Sequence, residues 1–436
     1  MRVLCVIAVW VLWSFQAVGQ SSQPRVVQTV VSGAPSKAAT QAYTLSPEKL
    51  AKARTLGRIR PVMHFGGAFW ELAAFWLMLA TGWAARTEAW IKRRTHRVWL
   101  EGLLFFGALI LSMTMLTLPL RLVGHCIGTY YGISVQGWAD WFLDFGKSLV
   151  LSLILMAPLL LLFHGLLRRS PRRYWLWAWM ITLPLMIAGS CAEPFLEPIF
   201  YHFEPLAKQH PQLVARLEAL AAKTGTTIPT DHILLMQASV KTNALNAYVS
   251  GLGATKRIVV WDTTAGRIPD DEILFIFGHE SGHYVLRHIA KGLLLSAIFL
   301  LPFYWLCAQI AGWSMQRWGL VWRLGGLQSR AGFVLMLMVV SLAQFVLEPI
   351  DCAVSRYFEH QADVYGQEAI HGLVADPQHT AVSAFNHLGE AALDDPDPNS
   401  FVEFWSYSHP STQHRAGFAA QYNPWAEGGR PEFFAH

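Results

Sequence analysis

Six long apolar stretches run through the chain, and each is long enough to cross a lipid bilayer as a helix. They cover residues 62–84, 101–123, 146–167, 174–199, 291–312 and 331–350. Hydrophobic residues make up 53% of the chain and charged residues 14%, which is more apolar than a soluble domain requires for its core. The sequence therefore predicts a multi-pass α-helical membrane protein in contact with the lipid bilayer.

The chain before these stretches divides into two parts. Residues 1–19 carry Arg2, then an apolar run, then small residues, which is the layout of a secretory signal peptide. An uncleaved first membrane helix is the alternative, although the run is short for a span. Residues 20–61 begin with a small, polar segment without a hydrophobic period, which predicts a flexible leader.

Two polar segments interrupt the apolar series, at residues 200–290 and 351–436. Four transmembrane helices within residues 62–199 precede the first segment, and a transmembrane hairpin at residues 291–350 separates the two. We therefore expect a water-soluble domain that is assembled from both polar segments.

The net charge of +5 is concentrated in short Arg-rich loops, which argues for membrane topology and against a nucleic-acid-binding face. Lys and Arg accumulate in cytoplasmic loops of membrane proteins. The loops at residues 85–100, 168–173 and 313–330 carry this excess, whereas the loop at 124–145 has acidic residues but no Lys or Arg. The soluble domain is therefore predicted on the periplasmic or otherwise non-cytoplasmic side of the cell membrane.

The clearest chemical motif is His279-Glu280-Ser281-Gly282-His283. It follows an acidic helix opening at residues 269–272, and apolar residues recur at helical spacing up to residue 289. Two His four residues apart project from one face of a helix, so both imidazoles can bind one zinc ion while Glu280 acts as general base on the attacking water. A helix that carries surface His residues is the alternative interpretation of this motif alone.

A second predicted helix supplies the third ligand. Glu359 and Asp363 lie four residues apart, so both carboxylates share one face. Glu359 completes a His/His/Glu set for one Zn2+ per chain and leaves the fourth position open, as catalytic zinc requires, and Asp363 can accept the free N–H of a ligand His. An exposed acidic face matched by Arg356 is the alternative.

These motifs resemble those of the type I CAAX prenyl endopeptidases and their bacterial HtpX-like relatives, which are integral-membrane gluzincins. The resemblance covers H-E-x-G-H, E-x-x-x-D, Asn246 to Leu252, Lys256 to Thr263, and Ser408-His409-Pro410-Ser411 with Arg415. It implies a multi-pass α-helical membrane protein with a mainly α (α+β) zincin-type metalloprotease domain split around the transmembrane hairpin.

The first two of these additional segments point to substrate binding. Residues 247–249 and 258–261 predict a β-hairpin beside the zinc helix, which can bind an extended peptide by strand addition and has Tyr248 in its first strand. The resemblance implies that Asn246 lies near the substrate, and a turn-forming Asn satisfied by its own backbone is the alternative. Asn246 and Tyr248 are therefore the predicted substrate-binding residues.

The predicted catalytic residues are Glu280, Asp363, His409 and Arg415. The resemblance implies that His409 stabilises the oxyanion and that Arg415 orients either His409 or the helix of the third ligand. It also implies that Asp363 orients a ligand or donates a proton. A helix-cap role before Pro410 is the alternative for His409.

The predicted function is zinc-dependent hydrolysis of peptide bonds in peptide or protein substrates, for quality control of membrane or exported proteins. CAAX-type processing of prenylated C-termini is the alternative within the same family, and the predicted exterior location argues against it. A catalytically silent zinc-bound scaffold and a transporter with a structural zinc are alternatives of other classes. The position of Glu280 between two ligands argues against the transporter.

Overall fold

The computed structural model describes residues 42–434, except Thr227, Leu252 and Glu427. The predicted signal peptide at residues 1–19 lies outside this described part. In chain order the helices are α1 (Pro47–Ala80), α2 (Trp83–Lys92), α3 (Val98–Tyr130), α4 (Trp138–Arg169), α5 (Tyr174–Leu196), α6 (Pro211–Lys223), α7 (Asp262–Ala265), α8 (Asp270–Val285), α9 (His288–Trp318), α10 (Arg330–Ala369), α11 (Pro377–Ala392), α12 (Ser400–Ser406) and α13 (Thr412–Gln421). Within the described residues, six helices are long and apolar enough to cross a membrane, namely α1, α3, α4, α5, α9 and α10.

Helix α1 begins earlier than the sequence predicted. The predicted leader extends to residue 61, but residues 47–61 are helical. Ser46 caps the start of the helix by accepting a hydrogen bond from the Lys49 backbone N–H (3.4 Å). The first turns also pack, since Leu56 is buried in a small core with Leu393 of the soluble domain. Residues 47–61 are polar because one face of this helix is exposed to solvent while the other packs on the soluble domain.

Helix α10 is much longer than the bilayer is thick. At 1.5 Å per residue its 40 residues measure about 60 Å, against about 30 Å for the hydrocarbon core. Its apolar first half forms the second arm of the hairpin, and its last turns carry Glu359 and Asp363 into the soluble domain.

Buried charges join the helices at the opposite end of the bundle. Arg330, at the start of α10, pairs with Glu101 of α3 (Nη1–Oε2 2.8 Å) and donates to the Val98 carbonyl (3.0 Å). Glu88 of α2 accepts a hydrogen bond from the Ala331 backbone N–H (2.9 Å). These contacts hold α2, α3 and α10 together at the end that carries the Arg-rich loops.

The soluble domain contains one four-stranded sheet. Its strands are β1 (Phe203–Pro205), β2 (Ile233–Met236), β3 (Ala247–Ser250) and β4 (Arg257–Trp261). The order is β1–β2–β4–β3, with β2 and β4 parallel and the other pairs antiparallel. All of β4 is buried, as expected of a strand covered on both faces, and β3 is an edge strand that packs against α8.

One hydrophobic core unites the two polar segments of the chain. Phe275 of α8 packs edge-to-face on Phe385 of α11, with ring centroids 5.2 Å apart. The same core contains Leu217 of α6, Ile258 of β4 and Ala416 of α13. The predicted fold class, a membrane bundle with an α+β domain split around a helical hairpin, is therefore confirmed.

A partly buried ion pair joins this domain to the bundle. Lys241 donates from Nζ to Asp144 Oδ2 of α4 (2.5 Å) and to the Phe200 carbonyl (2.6 Å). Because the contact joins three separated parts of the chain, it limits tilting of the soluble domain against the spans.

Candidate active site

The two histidines of the motif lie on helix α8. The helix follows Pro269, and its first turn contains three acidic residues that complement the positive end of the helix dipole. His279 and His283 project from one face, with ring centroids 4.8 Å and Nε2 atoms 3.1 Å apart. The helical period thus produces the predicted pair of converging imidazoles.

Helix α10 crosses α8 at very short range because glycines form the contact. A methyl group on Gly366 would lie 2.8 Å from the His279 backbone nitrogen, and one on Gly278 would lie 3.1 Å from the Gly366 carbonyl oxygen. A methyl group on Gly282 would lie 3.0 Å from the Tyr365 Cβ. Side chains at these positions would push the helices apart, so the glycines allow a carboxylate of α10 to reach the histidines.

Glu359 is that carboxylate. Its Oε2 lies 3.2 Å from His279 Nε2, and its Oε1 lies 3.5 Å from His283 Nε2. Ligands of a tetrahedral zinc at about 2.0–2.1 Å are separated by ~3.3 Å, so the two imidazole nitrogens and the Glu359 carboxylate have spacings close to those of such a site. Among the described residues no hydrogen bond satisfies the buried Oε2 of Glu359, so its lone pairs are available to a cation. The three residues therefore fit a metal ion.

Asp363 and Arg415 position His279 through its Nδ1 atom, on the side of the ring away from Glu359. Asp363 Oδ1 lies 2.8 Å from His279 Nδ1, and Arg415 donates to both oxygens of Asp363 (Nη2–Oδ1 2.5 Å, Nε–Oδ2 2.9 Å). Burial opposes a charge on His279, yet Asp363 and Glu359 raise its pKa to about 10. The site therefore stabilises positive charge at this ring, which is where a bound cation would also place it.

His409 and Arg415 converge on Glu359 as well. His409 Nε2 is 3.4 Å from Glu359 Oε1, and Arg415 Nη2 is 4.0 Å from Oε2. Burial lowers the pKa of His409 even though Glu359 opposes this, so the ring is neutral at pH 7 and can donate one N–H. With 31% of its side chain exposed, the ring remains accessible to a substrate.

Glu280 is half-buried on α8, between the two histidines in sequence. Its charge also reaches Arg415, whose pKa is raised by Asp363, Glu359 and Glu280 although burial alone would lower it. The structure thus brings Glu280, Asp363, His409 and Arg415 into one cluster with the three candidate ligands. Arg415 contacts Asp363, on the helix of the third ligand, which is one of the two partners that the sequence offered for it.

The two predicted substrate-binding residues have different surroundings. Asn246 is half-buried, and its backbone N–H and C=O both bond the Thr264 hydroxyl (2.8 Å each). Tyr248 pairs with Val259 in register, so it points to the sheet face opposite α8, where its hydroxyl donates to Glu197 (2.8 Å). Burial and the Glu197 charge raise the pKa of Tyr248, so the hydroxyl stays a donor. The Tyr248 side chain is therefore not part of the cluster on α8.

Two residues of the site were missed by the sequence reasoning. His288 lies 3.0 Å (Nδ1–Nδ1) from His283, and Gln361 lies 3.1 Å from His288 on its other side. The sequence features that could have pointed to them are a third His shortly after the motif and a polar residue between Glu359 and Asp363. Helical spacing gives no reason to join them, because the helix breaks between His283 and His288.

Comparison with known proteins agrees with this geometry. A family model described as "Peptidase family M48" matches residues 207–422, and one described as "CAAX prenyl protease N-terminal, five membrane helices" matches residues 23–202. The "Uncharacterized metalloprotease YhfN" of Bacillus subtilis is 32% identical over 92% of this chain and 91% of its own length. CAAX prenyl protease 1 of Saccharomyces cerevisiae is 27% identical over 62% of each chain.

A solved structure shares the fold. The crystal structure of S. mikatae Ste24p superposes with a TM-score of 0.72 at 20% identity, covering 93% of this chain and 94% of that one. The arrangement of a membrane bundle and a split soluble domain is therefore common to both chains.

Proposed function

Because this chain belongs to peptidase family M48 and is a membrane-embedded metalloendopeptidase, we propose that it uses zinc to cleave peptide bonds in membrane or exported proteins. The single observation that carries this proposal is the convergence of two imidazoles and one carboxylate at the helix that carries Glu280. The Nε2 atoms of His279 and His283 are 3.1 Å apart, Glu359 Oε2 lies 3.2 Å from the first, and Glu359 Oε1 lies 3.5 Å from the second. Two imidazoles and one carboxylate form a donor set that zinc prefers, and they leave one coordination position for the reaction.

Glu280 acts as the general base in this proposal. When bound, zinc supplies Lewis-acid activation of the scissile carbonyl and of a water molecule. Glu280 takes a proton from the attacking water and returns it to the leaving amine. It is half-buried on α8, directly after His279 and three residues before His283, and it is not one of the three candidate ligands.

His409 stabilises the developing negative charge. The ring is neutral and accessible. Its Nε2 lies 3.4 Å from Glu359, so the ring is adjacent to the metal site while Glu359 remains the third ligand. Asp363 orients His279 rather than donating a proton, since both of its oxygens already accept hydrogen bonds from Arg415. Arg415 in turn keeps Asp363 charged.

The edge strand β3 is the proposed substrate platform. It packs against α8, and among the strands of the described residues it pairs only with β4, so an extended peptide can add to its other side. Tyr248 then contributes its backbone, because its hydroxyl is bonded to Glu197. Asn246 precedes the strand, and its half-buried side chain is the proposed polar contact to the peptide.

The soluble domain is proposed on the exterior side of the membrane. The Arg-rich loops lie at the end of the bundle where Arg330 joins α2, α3 and α10, and the soluble domain continues from the far end of α10. An exterior site reaches exported proteins and the outer parts of membrane proteins, which favours a role in their quality control.

The decisive experiment compares detergent-purified, zinc-loaded protein with the Glu280→Gln variant on unfolded casein. We expect the variant to keep about one zinc per chain and to lose roughly 10²- to 10⁴-fold in rate. Asp270→Asn, on the same helix but in its first turn, is the matched control and should cleave like the parent. A Glu280→Gln variant with parental activity would refute the general-base role, and zinc without cleavage in either protein would favour a scaffold.

Processing of prenylated C-termini is a second candidate. It is favoured by the match of residues 23–202 to a CAAX prenyl protease N-terminal model and by the CAAX prenyl protease relatives. Rates on a farnesylated and an unmodified peptide of the same sequence separate the two candidates. A reporter fused after residue 436 adds the location, since cytoplasmic activity of the reporter would support the second candidate and contradict the exterior site.

A further inference from the structure

The Nδ1 atoms of the two candidate ligand histidines, which face away from the metal position, contact different chemical groups. His279 Nδ1 faces the Asp363 carboxylate at 2.8 Å, whereas His283 Nδ1 faces Nδ1 of a third histidine, His288, at 3.0 Å. The other nitrogen of His288, Nε2, lies 3.1 Å from Oε1 of Gln361 on α10. A chain of polar contacts therefore runs from His283 through His288 to the helix that carries Glu359.

A helix break brings His288 to this position. In a continuous α-helix, residues five apart are about 140° apart around the axis, so their side chains do not meet. Here α8 ends at Val285, Arg287 adopts the left-handed conformation (φ 58°), and α9 begins at His288. A non-glycine residue in that conformation is uncommon and costs roughly 1–2 kcal/mol, which the surrounding packing must offset.

Packing then holds the His288 ring in place. It stacks on Phe358 of α10, with ring centroids 4.4 Å apart and planes 9° from parallel, and the residue is only 3% exposed. The ring can therefore adopt few orientations, and both of its nitrogens meet a polar partner.

The direction of each hydrogen bond follows from metal binding at His283. A ligand nitrogen needs its lone pair, so a metal on His283 Nε2 requires the proton on Nδ1. Nδ1 of His283 then donates to Nδ1 of His288, and Nε2 of His288 carries a proton that it donates to Gln361 Oε1, which can only accept. The opposite direction would protonate His283 Nε2 and block the ligand atom.

The orientation of the Gln361 amide agrees with this assignment. Its Nε2 donates to the Tyr357 hydroxyl (3.3 Å), which leaves Oε1 facing His288. Each contact in the chain thus has one donor and one acceptor.

We propose that His288 is a positioning residue of the metal site, which accepts the Nδ1–H of His283 and, anchored by Gln361, holds His283 in the tautomer that binds metal. The proposal rests on the zinc site proposed above, but it does not depend on peptide cleavage. Partners of this kind orient ligand histidines, and their loss typically costs about 10- to 100-fold in metal affinity or activity.

A neutral partner suits His283 for an electrostatic reason. The site already contains two buried carboxylates, Glu359 and Asp363, and one of them is balanced by Arg415. Before a metal ion binds, a third carboxylate behind His283 would add a buried charge without a counterion, which is costly. An imidazole supplies the acceptor without that charge.

The test compares two substitutions of His288. His288→Phe keeps a ring to stack on Phe358 but removes the acceptor, whereas His288→Asn places an oxygen where Nδ1 stood. We expect zinc dissociation constants, measured by competition with a chromophoric chelator, to rise roughly 10- to 100-fold in His288→Phe and about threefold in His288→Asn. Unfolding temperatures of the zinc-free proteins report any purely structural effect.

A second pair of variants lies on another helix, in case the His288 variants fold poorly. Gln361→Met removes the acceptor for His288, whereas Gln361→Glu keeps an acceptor oxygen. We expect Gln361→Met to weaken zinc binding by a few-fold, up to about tenfold, and Gln361→Glu to bind at least as tightly as Gln361→Met. The absorption spectrum of bound Co2+ should change in His288→Phe, because the orientation of a ligand changes.

The outcomes separate this inference from the proposed function. A parent protein that binds no zinc refutes both. If the parent binds zinc and His288→Phe binds it equally well, the positioning role is refuted and the zinc site stands. Equal losses in His288→Phe and His288→Asn that follow the zinc-free unfolding temperature also refute it, because packing alone then explains them.

Discussion

Two buried charge clusters lie at opposite ends of helix α10, about 50 Å apart along its axis. At its start, Arg330 contacts carboxylates of α2 and α3, with the nearer one, Glu101, at 2.8 Å. Near its end, Arg415 contacts Asp363 at 2.5 Å and Glu359 at 4.0 Å. Each cluster places one guanidinium between two buried carboxylates.

The clusters differ in the buried atom that each leaves without a hydrogen-bond partner among the described residues. At the start of α10 this atom is a donor, Nε of Arg330, and near its end it is an acceptor, Oε2 of Glu359. An N–H donor cannot coordinate a cation, whereas a free lone pair beside two imidazole nitrogens can. The same residue types therefore tie helices together at one end and form a metal site at the other.

The largest expected effect comes from removing the Arg330 ion pair at the start of α10. Arg330→Met leaves the Glu101 carboxylate buried without its cation, whereas Glu88 keeps Lys92 at 2.8 Å. Removing one partner of a buried pair costs about 3–5 kcal/mol. We expect a large loss in the free energy of unfolding in detergent, equal with and without zinc, and unchanged zinc affinity in the folded fraction. Loss of zinc affinity would show that the two ends are coupled.

The double variant Arg330→Met with Glu101→Gln is the control. It removes the stranded charge of Glu101, so it should recover part of the lost stability. No recovery would mean that packing of the Arg330 side chain, rather than its charge, holds the helices.

The next effect concerns the metal end. Asp363→Asn replaces the charged acceptor of His279 and removes the partner of Arg415, so zinc affinity should fall about 10- to 100-fold. Glu101→Gln is the matched substitution in the other cluster and should leave zinc affinity unchanged. Chelator competition measures both.

The same variant distinguishes the two roles offered for Asp363. If Asp363 orients His279, the variant regains most of its kcat at saturating zinc. If Asp363 donates a proton, kcat stays low at saturating zinc, by a factor comparable to that of Glu280→Gln.

The two clusters also differ in how well the sequence predicts them. The spans and the pairs His279/His283 and Glu359/Asp363 could be predicted because each follows from local spacing, a long apolar run or four residues along a helix. The Arg330 cluster and the His283–His288 contact could not, since the first joins three helices distant in sequence and the second depends on the left-handed backbone of Arg287. Local periodicity carries no information on such partners.

A smaller effect tests Tyr248, which lies in a third group of buried charges. Its hydroxyl donates to Glu197, and Arg257 also pairs with Glu197. Tyr248→Phe removes one hydrogen bond to a carboxylate that keeps its cation, so we expect a loss of about 1–2 kcal/mol in stability. KM for a peptide substrate should not change. A several-fold rise in KM at unchanged stability would instead establish the side chain as a substrate contact.

The smallest effect is a pH dependence at Lys256, a single buried cation without a carboxylate partner among the described residues. Its Nζ lies 3.1 Å from the centroid of the Tyr284 ring, and burial lowers its pKa to about 8. In the unfolded chain the pKa returns to about 10.4, so between pH 8 and 10 the unfolded state binds more protons and stability rises with pH. The cation–π contact favours the charged form in the folded protein, so it narrows the gap between the two pKa values and keeps the slope under the ~1.4 kcal/mol per pH unit of one full proton. Unfolding temperatures of the parent minus those of Lys256→Met should therefore rise slightly over this range, and a flat or falling difference would mean that Lys256 stays protonated beside Tyr284.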